Sequence, residues 1–253
     1  MRWFDSLPFR IGTTSYIIPA DILPNVRWLA EKVRDIELVL FDVDEYCNVP
    51  DAETIAELNT IAAAYGLTYT VHLPLDLDFG ANGKTLSVEK AQKVIRATED
   101  LFPWAYVAHL AKGADGKCAG EWQKERTPAI RELLSSVSEP SLLAVENLEC
   151  YPAEWNLPII NENGLSMTMD IGHLWLQGRD PLPLLSEWLP FIRVIHLHGI
   201  GTRDHQSLTH QPFEQVQTLI RTLIKKEYSG VLTLEDFNQE DFESSMKVLE
   251  RCL

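Results

Sequence analysis

All seven histidines lie at or after position 72, and most of them close an apolar run or open the segment that follows it. The local sequences are TVHLP for His72, YVAHLAKG for His109, MDIGHLW for His173 and VIHLHG for His196 and His198, with His205 and His210 further on. Three carboxylates occupy the same kind of position: Glu146 in LAVENLE, Asp170 in MTMDIGH and Glu235 in LTLEDFN. Each has a bland explanation when taken singly. A histidine at a strand end is commonly just hydrogen-bonded, and an aspartate there, Asp170 above all, can cap the next helix. Glu146 and Glu235 resist that reading, because each follows an apolar run and would be costly to bury unpaired. A divalent cation satisfies all of them at once, and mixed imidazole and carboxylate donors suit zinc, manganese, iron or cobalt.

These side chains meet only if their strands converge. Short apolar, β-branched runs alternate without a break with longer amphipathic stretches. The expected strands are 9–14, 36–41, 67–73, 106–110, 142–146, 165–170, 194–197 and 231–235. Between them fall helical patterns such as 52–65, which has acidic residues in its first turn and Gly66 just past its end. Runs such as VLTLE and RVIHLH are apolar on both faces, as strands of a parallel sheet are. Eight βα units favour a closed barrel over an open sheet, and no GxGxxG or GxxxxGK[ST] motif supports the nucleotide-binding open sheets. The expectation is therefore a single (β/α)8 TIM barrel over residues 1–253, whose strand C-termini converge on one mouth. The fifth and sixth helices (YPAEWNLPII, DPLPLLSEWLP) read as short and broken by proline.

Composition narrows the partners. Lys and Arg number 22 against 37 Asp and Glu, a net charge of −15. Nucleic-acid binders neutralise phosphates with basic side chains, so this balance disfavours a nucleic-acid partner. Trp122 and Trp175 are the best candidates for a base wedge. No apolar run reaches the roughly 20 residues of a membrane span, and the N-terminus has no signal-peptide pattern, so cytoplasmic residence is the default expectation. The four cysteines are scattered with no CxxC pair, which points to reduced thiols.

Taken in order, these residues resemble the xylose-isomerase-like barrels, the superfamily of family 2 apurinic endonucleases that also contains sugar isomerases and epimerases. The resemblance covers nearly the whole chain. It rests on His72, His109, the pair Glu146–Asn147, the Asp-x-x-His of Asp170 and His173, His196, the loop pair Asp204–His205, and Glu235. It implies that Glu146, Asp170, His196 and Glu235 hold one metal, as in the epimerase branch. It also implies that His72, His109, His173 and His205 add the ligands of a multi-metal cluster, as in the endonuclease branch. The sequence departs from that branch at one point. The branch has an aspartate two residues before the loop histidine, where this chain has Arg203, with Asp204 adjacent to the histidine.

Two chemistries follow. A phosphoester hydrolase gains from two or three ions that activate water and stabilise the phosphoryl and leaving oxygens. Lys112, His198, Arg203 and Asp204 would then contact substrate, with Glu146, Glu235 and His173 as the catalytic side chains. An isomerase or epimerase needs one metal, with Glu146 and Glu235 exchanging protons with carbon. Hydrolysis is favoured because it uses the additional histidines. The acidity points to a small phosphorylated substrate. The stretch 196–208 resembles a branch that cleaves the nucleotide loop of cobamides and releases the lower ligand as a phosphorylated nucleoside. A barrel that only binds a ligand is the third reading. Oligomeric state is not legible.

Overall fold

The computed structural model describes residues 2–43, 45–80, 83–110 and 116–253. Eight strands form a closed parallel barrel: β1 (Arg10–Thr14), β2 (Asp35–Val39), β3 (Thr68–His72), β4 (Tyr106–Ala108), β5 (Leu143–Glu146), β6 (Ser166–Asp170), β7 (Ile192–Leu197) and β8 (Val231–Leu234). Each pairs with its neighbours in sequence, and β8 closes on β1. All eight expected strands are present, with ends shifted by up to two residues. The main apolar core lies between the barrel and its helices.

The helices follow from local sequence. Helix α2 (Ala52–Tyr65) is capped by Asp51, whose side chain accepts from the Thr54 N–H, and ends at Gly66 in the left-handed region (φ 67°), where a Cβ would be strained. Helix α5 (Asn156–Asn163) and a helix at Pro181–Trp188 are short, as expected, but neither is broken. Their prolines, Pro158 in the first and Pro181 and Pro183 in the second, lie in the first turn, where the missing N–H has no intrahelical partner to lose. One element escaped sequence reasoning: a two-stranded antiparallel ribbon, Asp42–Val43 with Tyr46–Cys47, above the end of β2. Such a short ribbon carries too few residues for a period to be read.

Side chains alternate along a strand, so the residues two before each strand-end donor lie beneath it inside the barrel. They are Thr70, Val107, Ala144, Thr168, Val194 and Thr233, all buried. This layer of small and β-branched groups fills the barrel and supports the mouth. Deeper still, Asp35 is fully buried, takes a hydrogen bond from the Thr68 hydroxyl, and has its carboxyl pushed up to about 7 by burial against the opposing pull of Thr68 and Arg10. A carboxyl raised in the folded state contributes stability that declines as pH climbs from its ordinary value through about 7. Asp35→Asn, which keeps an acceptor for Thr68, is therefore expected to melt higher than the native protein at pH 8. The gap should close toward pH 4, and equal melting curves at both pH values would contradict the assignment. No helix of the described residues is long and apolar enough to cross a membrane.

Candidate metal centre

The strand ends deliver their donors to one mouth, and Glu146 sits at the centre of it. Its Oε2 lies 3.0 Å from His109 Nε2, 3.5 Å from His72 Nε2 and 3.5 Å from His196 Nδ1, and its Oε1 lies 3.6 Å from His173 Nδ1. Around it the donor atoms cluster into three contiguous groups. They are His72, His109 and Glu146; Glu146, Asp170, His196 and Glu235; and His173, His198, Asp204 and His205. Within each, the donor atoms lie within 4.8 Å of one another. Parallel pairing sets part of this directly, since Asp170 stands opposite His196 in the β6–β7 register. His109, one residue past the end of β4, still faces inward.

The donor set fits divalent ions on two observations. Five buried polar atoms converge here without a hydrogen-bond partner: Asp170 Oδ2, His196 Nδ1, His198 Nε2, His205 Nδ1 and Glu235 Oε2. Leaving so many buried groups unmatched is rare in native proteins, and an ordered water or an ion resolves it; carboxylate and imidazole atoms converging together favour a cation. The second observation is that the far sides of the rings are held. His72 Nδ1–H donates to the Leu73 carbonyl at 2.8 Å and His173 Nδ1–H to the Asn147 carbonyl at 3.0 Å, which leaves each Nε2 free as a ligand.

Asp170 is a helix cap, as its sequence position allowed, and it also faces other donors. Its Oδ1 caps helix α6 (Ile171–Leu176) by accepting from the His173 N–H at 2.6 Å, while Oδ2 faces His173 and His196. Asn147 ties the two strand ends together, donating to the Asp170 carbonyl and accepting from the Asp170 N–H, both at 2.9 Å. Burial by itself would drive charge from these groups. It is outweighed for Glu146, which His109 and His196 hold well below the usual carboxylate range. It is likewise outweighed for His196, held well above the usual imidazole value by Glu235, Glu37 and Glu146. His198 is lifted to about 9, Asp170, Glu235 and Asp204 overcoming its burial.

The third group contains the loop pair at which the sequence departs from the endonuclease branch. His205 has a left-handed backbone (φ 49°), a costly conformation for a non-glycine residue that is characteristic of functional sites. That turn brings adjacent residues to the same cluster. Asp204 Oδ1 lies 3.1 Å from His198 Nδ1, and Asp204 Oδ2 lies 3.8 Å from His173 Nε2 and 3.6 Å from His205 Nε2. Asp204 and His198, expected at substrate, therefore sit among potential metal ligands. Arg203 does not reach the mouth: its guanidinium is exposed and faces Asp241 at 3.6 Å. Lys112 lies outside the described residues. Trp122 is fully buried on Tyr151 and Trp155 and cannot act as a wedge.

One participant was missed. Glu37 on β2 is fully buried, and its Oε2 accepts from His196 Nε2 at 2.9 Å, so that Nδ1 faces Glu146, Asp170 and Glu235. The signal was present: a glutamate inside the apolar run IELVLF carries the same burial cost that singled out Glu146. Partners behind a ligand histidine commonly hold 10–100-fold in metal affinity. Glu37→Leu is expected to lose roughly that much, and Glu37→Gln, which can still accept from Nε2–H, distinctly less. Competition against a chromophoric chelator measures both, and unchanged affinity in the leucine variant would rule the role out.

A closed eight-stranded barrel with metal-type donors at the strand C-termini defines the class. A sequence profile of the family described as xylose isomerase-like TIM barrel matches residues 32–252, and the chain belongs to that family. Solved structures similar to it include a D-tagatose 3-epimerase-like protein (20% identity, TM-score 0.78, covering 96% of this chain and 97% of the other). Endonuclease IV from Thermus thermophilus is similar at 17% identity and TM-score 0.74, covering 96% and 98% of the two chains. The 3-keto-D-glucoside 4-epimerase from E. coli is similar at 14% identity and TM-score 0.71, also covering 96% and 98%. At these identities the likeness establishes the fold. No curated protein matches the sequence.

Proposed function

We propose that this protein is a divalent-metal-dependent hydrolase of a small-molecule phosphodiester. The observation that carries the reading is the set of three contiguous donor groups around Glu146, where a single-metal reaction needs only the buried quartet. Charge supports it. The described residues lining the mouth cavity, about 340 Å³, include acidic and imidazole side chains but no lysine or arginine. A phosphate entering there is repelled by the carboxylates unless bound cations reverse the sign. Two or three divalent ions would supply Lewis acidity and acidify water for in-line attack at phosphorus.

The chain's own residues then have distinct tasks. Glu146 bridges the first two groups, with His72 and His109 on one side and Asp170, His196 and Glu235 on the other. His173, His198, Asp204 and His205 complete the third. Glu235, beside Glu146, would exchange protons with the attacking and leaving oxygens, whereas His173, with its Nδ1–H on the Asn147 carbonyl and its Nε2 toward the third group, would serve as a ligand. The net charge of −15 favours a small substrate over nucleic acid. The nucleotide loop of a cobamide is the finer proposal, on the strength of the 196–208 stretch.

A second reading keeps only Glu146, Asp170, His196 and Glu235 at one metal, with the two glutamates as acid and base of a sugar epimerase. The completeness and burial of that quartet favour it over a barrel without catalysis. Metal content of the purified protein, measured beside turnover of bis(4-nitrophenyl) phosphate, separates the readings. Two or three ions per chain with phosphodiester cleavage are expected. One ion with ketose epimerisation would replace the hydrolase with the epimerase. No metal and no activation by zinc, manganese or cobalt would leave a barrel that only binds a ligand.

A further inference from the structure

The donor groups form the floor of the mouth, and its walls are of another kind. Val39, Phe41, Leu75, Leu148 and Phe237 line the same cavity, and Glu149 is the one polar residue among its described lining outside the donor groups. Among the described lining residues there is no serine, threonine, asparagine, glutamine, lysine or arginine. A sugar polyol or a bare phosphate would turn hydroxyls or anionic oxygens toward this wall with few partners, which is unfavourable. A flat apolar group would be buried with gain instead.

Part of the exposed apolar surface gathers at this end of the molecule. Nine large hydrophobic side chains are exposed among the described residues, and four of them, Leu75, Phe237, Val43 and Tyr46, lie on the cavity or on the ribbon beside it. Clustering of that kind marks a binding surface, whereas single exposed apolar residues are ordinary. The wall also adjoins the floor directly. Phe237 meets the His205 ring edge-on at a centroid distance of 5.4 Å, and Val39 stands opposite His72 in the β2–β3 register. Phe41 is held in place before any ligand arrives. Its N–H donates to Asn48 Oδ1 at 2.6 Å, its carbonyl accepts from the Asn48 N–H at 3.2 Å, and Asn48 Nδ2 donates to the Val39 carbonyl at 3.0 Å. Its ring packs between Tyr16 and Tyr46, at 5.8 and 5.9 Å. A wall fixed in this way binds without paying to order itself.

We propose that the substrate is an aromatic phosphoester, with its aromatic portion against Phe41, Leu75 and Phe237 and its phosphoryl group over the metal-ligand floor. This rests on the hydrolase reading and adds the substrate's second half to it. Two non-hydrolysable probes separate the two claims: phenylphosphonate and methylphosphonate, titrated calorimetrically into the metal-loaded protein. Phenylphosphonate is expected to bind at least ~10-fold more tightly, the gain from burying a phenyl face. In the double variant Leu75→Ala/Phe237→Ala that advantage should fall below ~3-fold. Both side chains are well exposed, so the fold does not depend on them. Equal affinity of the two probes for the native protein would overturn the aromatic wall, while methylphosphonate binding would still uphold an anion site at the metals. No binding of either probe would overturn both claims. An unchanged ratio in the double variant, accompanied by a change in sedimentation, would also overturn it by making the apolar rim a protein contact.

Discussion

Glu146→Gln is expected to abolish turnover, by ~10³-fold or more, and to lower the metal content while the barrel stays folded. Among the described residues, Glu146 alone is shared between two of the three donor groups, and it lies within 3.6 Å of four histidines. Glutamine preserves its volume but carries no charge to share between ions. The backbone at this position is held independently of the carboxylate. Its carbonyl accepts from the Tyr151 hydroxyl and from Asn156 Nδ2, each at 3.0 Å. The fold should therefore survive where metal and activity do not. Metal analysis, circular dichroism and turnover on one preparation check all three parts, and near-native turnover in the variant would remove Glu146 from its bridging role.

A second large effect is expected at a residue with no polar atoms in its side chain. Gly172→Ala in α6 should eject His198 and lower the metal count by one, with turnover down at least ~10-fold. Within a helix the exchange ordinarily stabilises by about 1 kcal/mol. Here a Cβ at Gly172 would stand 2.1–2.5 Å from three atoms of the His198 imidazole, which is fully buried and has nowhere simple to go. Forced overpacking of this kind costs about 1–3 kcal/mol, so the clash outweighs the helical gain. His198→Ala should show the same metal count as Gly172→Ala, because the glycine acts only through the ring it accommodates. A Gly172→Ala protein with the native metal content would place His198 outside the cluster.

Particular residues show how far the linear sequence reaches. The eight strands, helix α2 and the positions of Glu146, Asp170, His196 and Glu235 were legible because their signals are local. Apolar runs, caps and the alternation of side chains act over a few residues. The prolines of the fifth and sixth helices were misjudged because the same residue breaks a helix in its interior and opens it in the first turn. Deciding which needs the N-terminal boundary, which the sequence leaves loose.

Tertiary structure decided the rest. Glu37 and His196 are 159 residues apart and touch only because the barrel closes with a particular stagger of its strands. Asp204 and His205 reach one cluster through a left-handed turn that no residue type at that position requires. The exclusion of Arg203 from the mouth depends on the same loop. Sequence by itself determined that metal-type donors stand at the strand ends, since strand period and burial cost are properties of short segments. Which donors share an ion, and which apolar side chains wall them in, is a matter of distances across the barrel, set by closure and register among strands far apart in the chain.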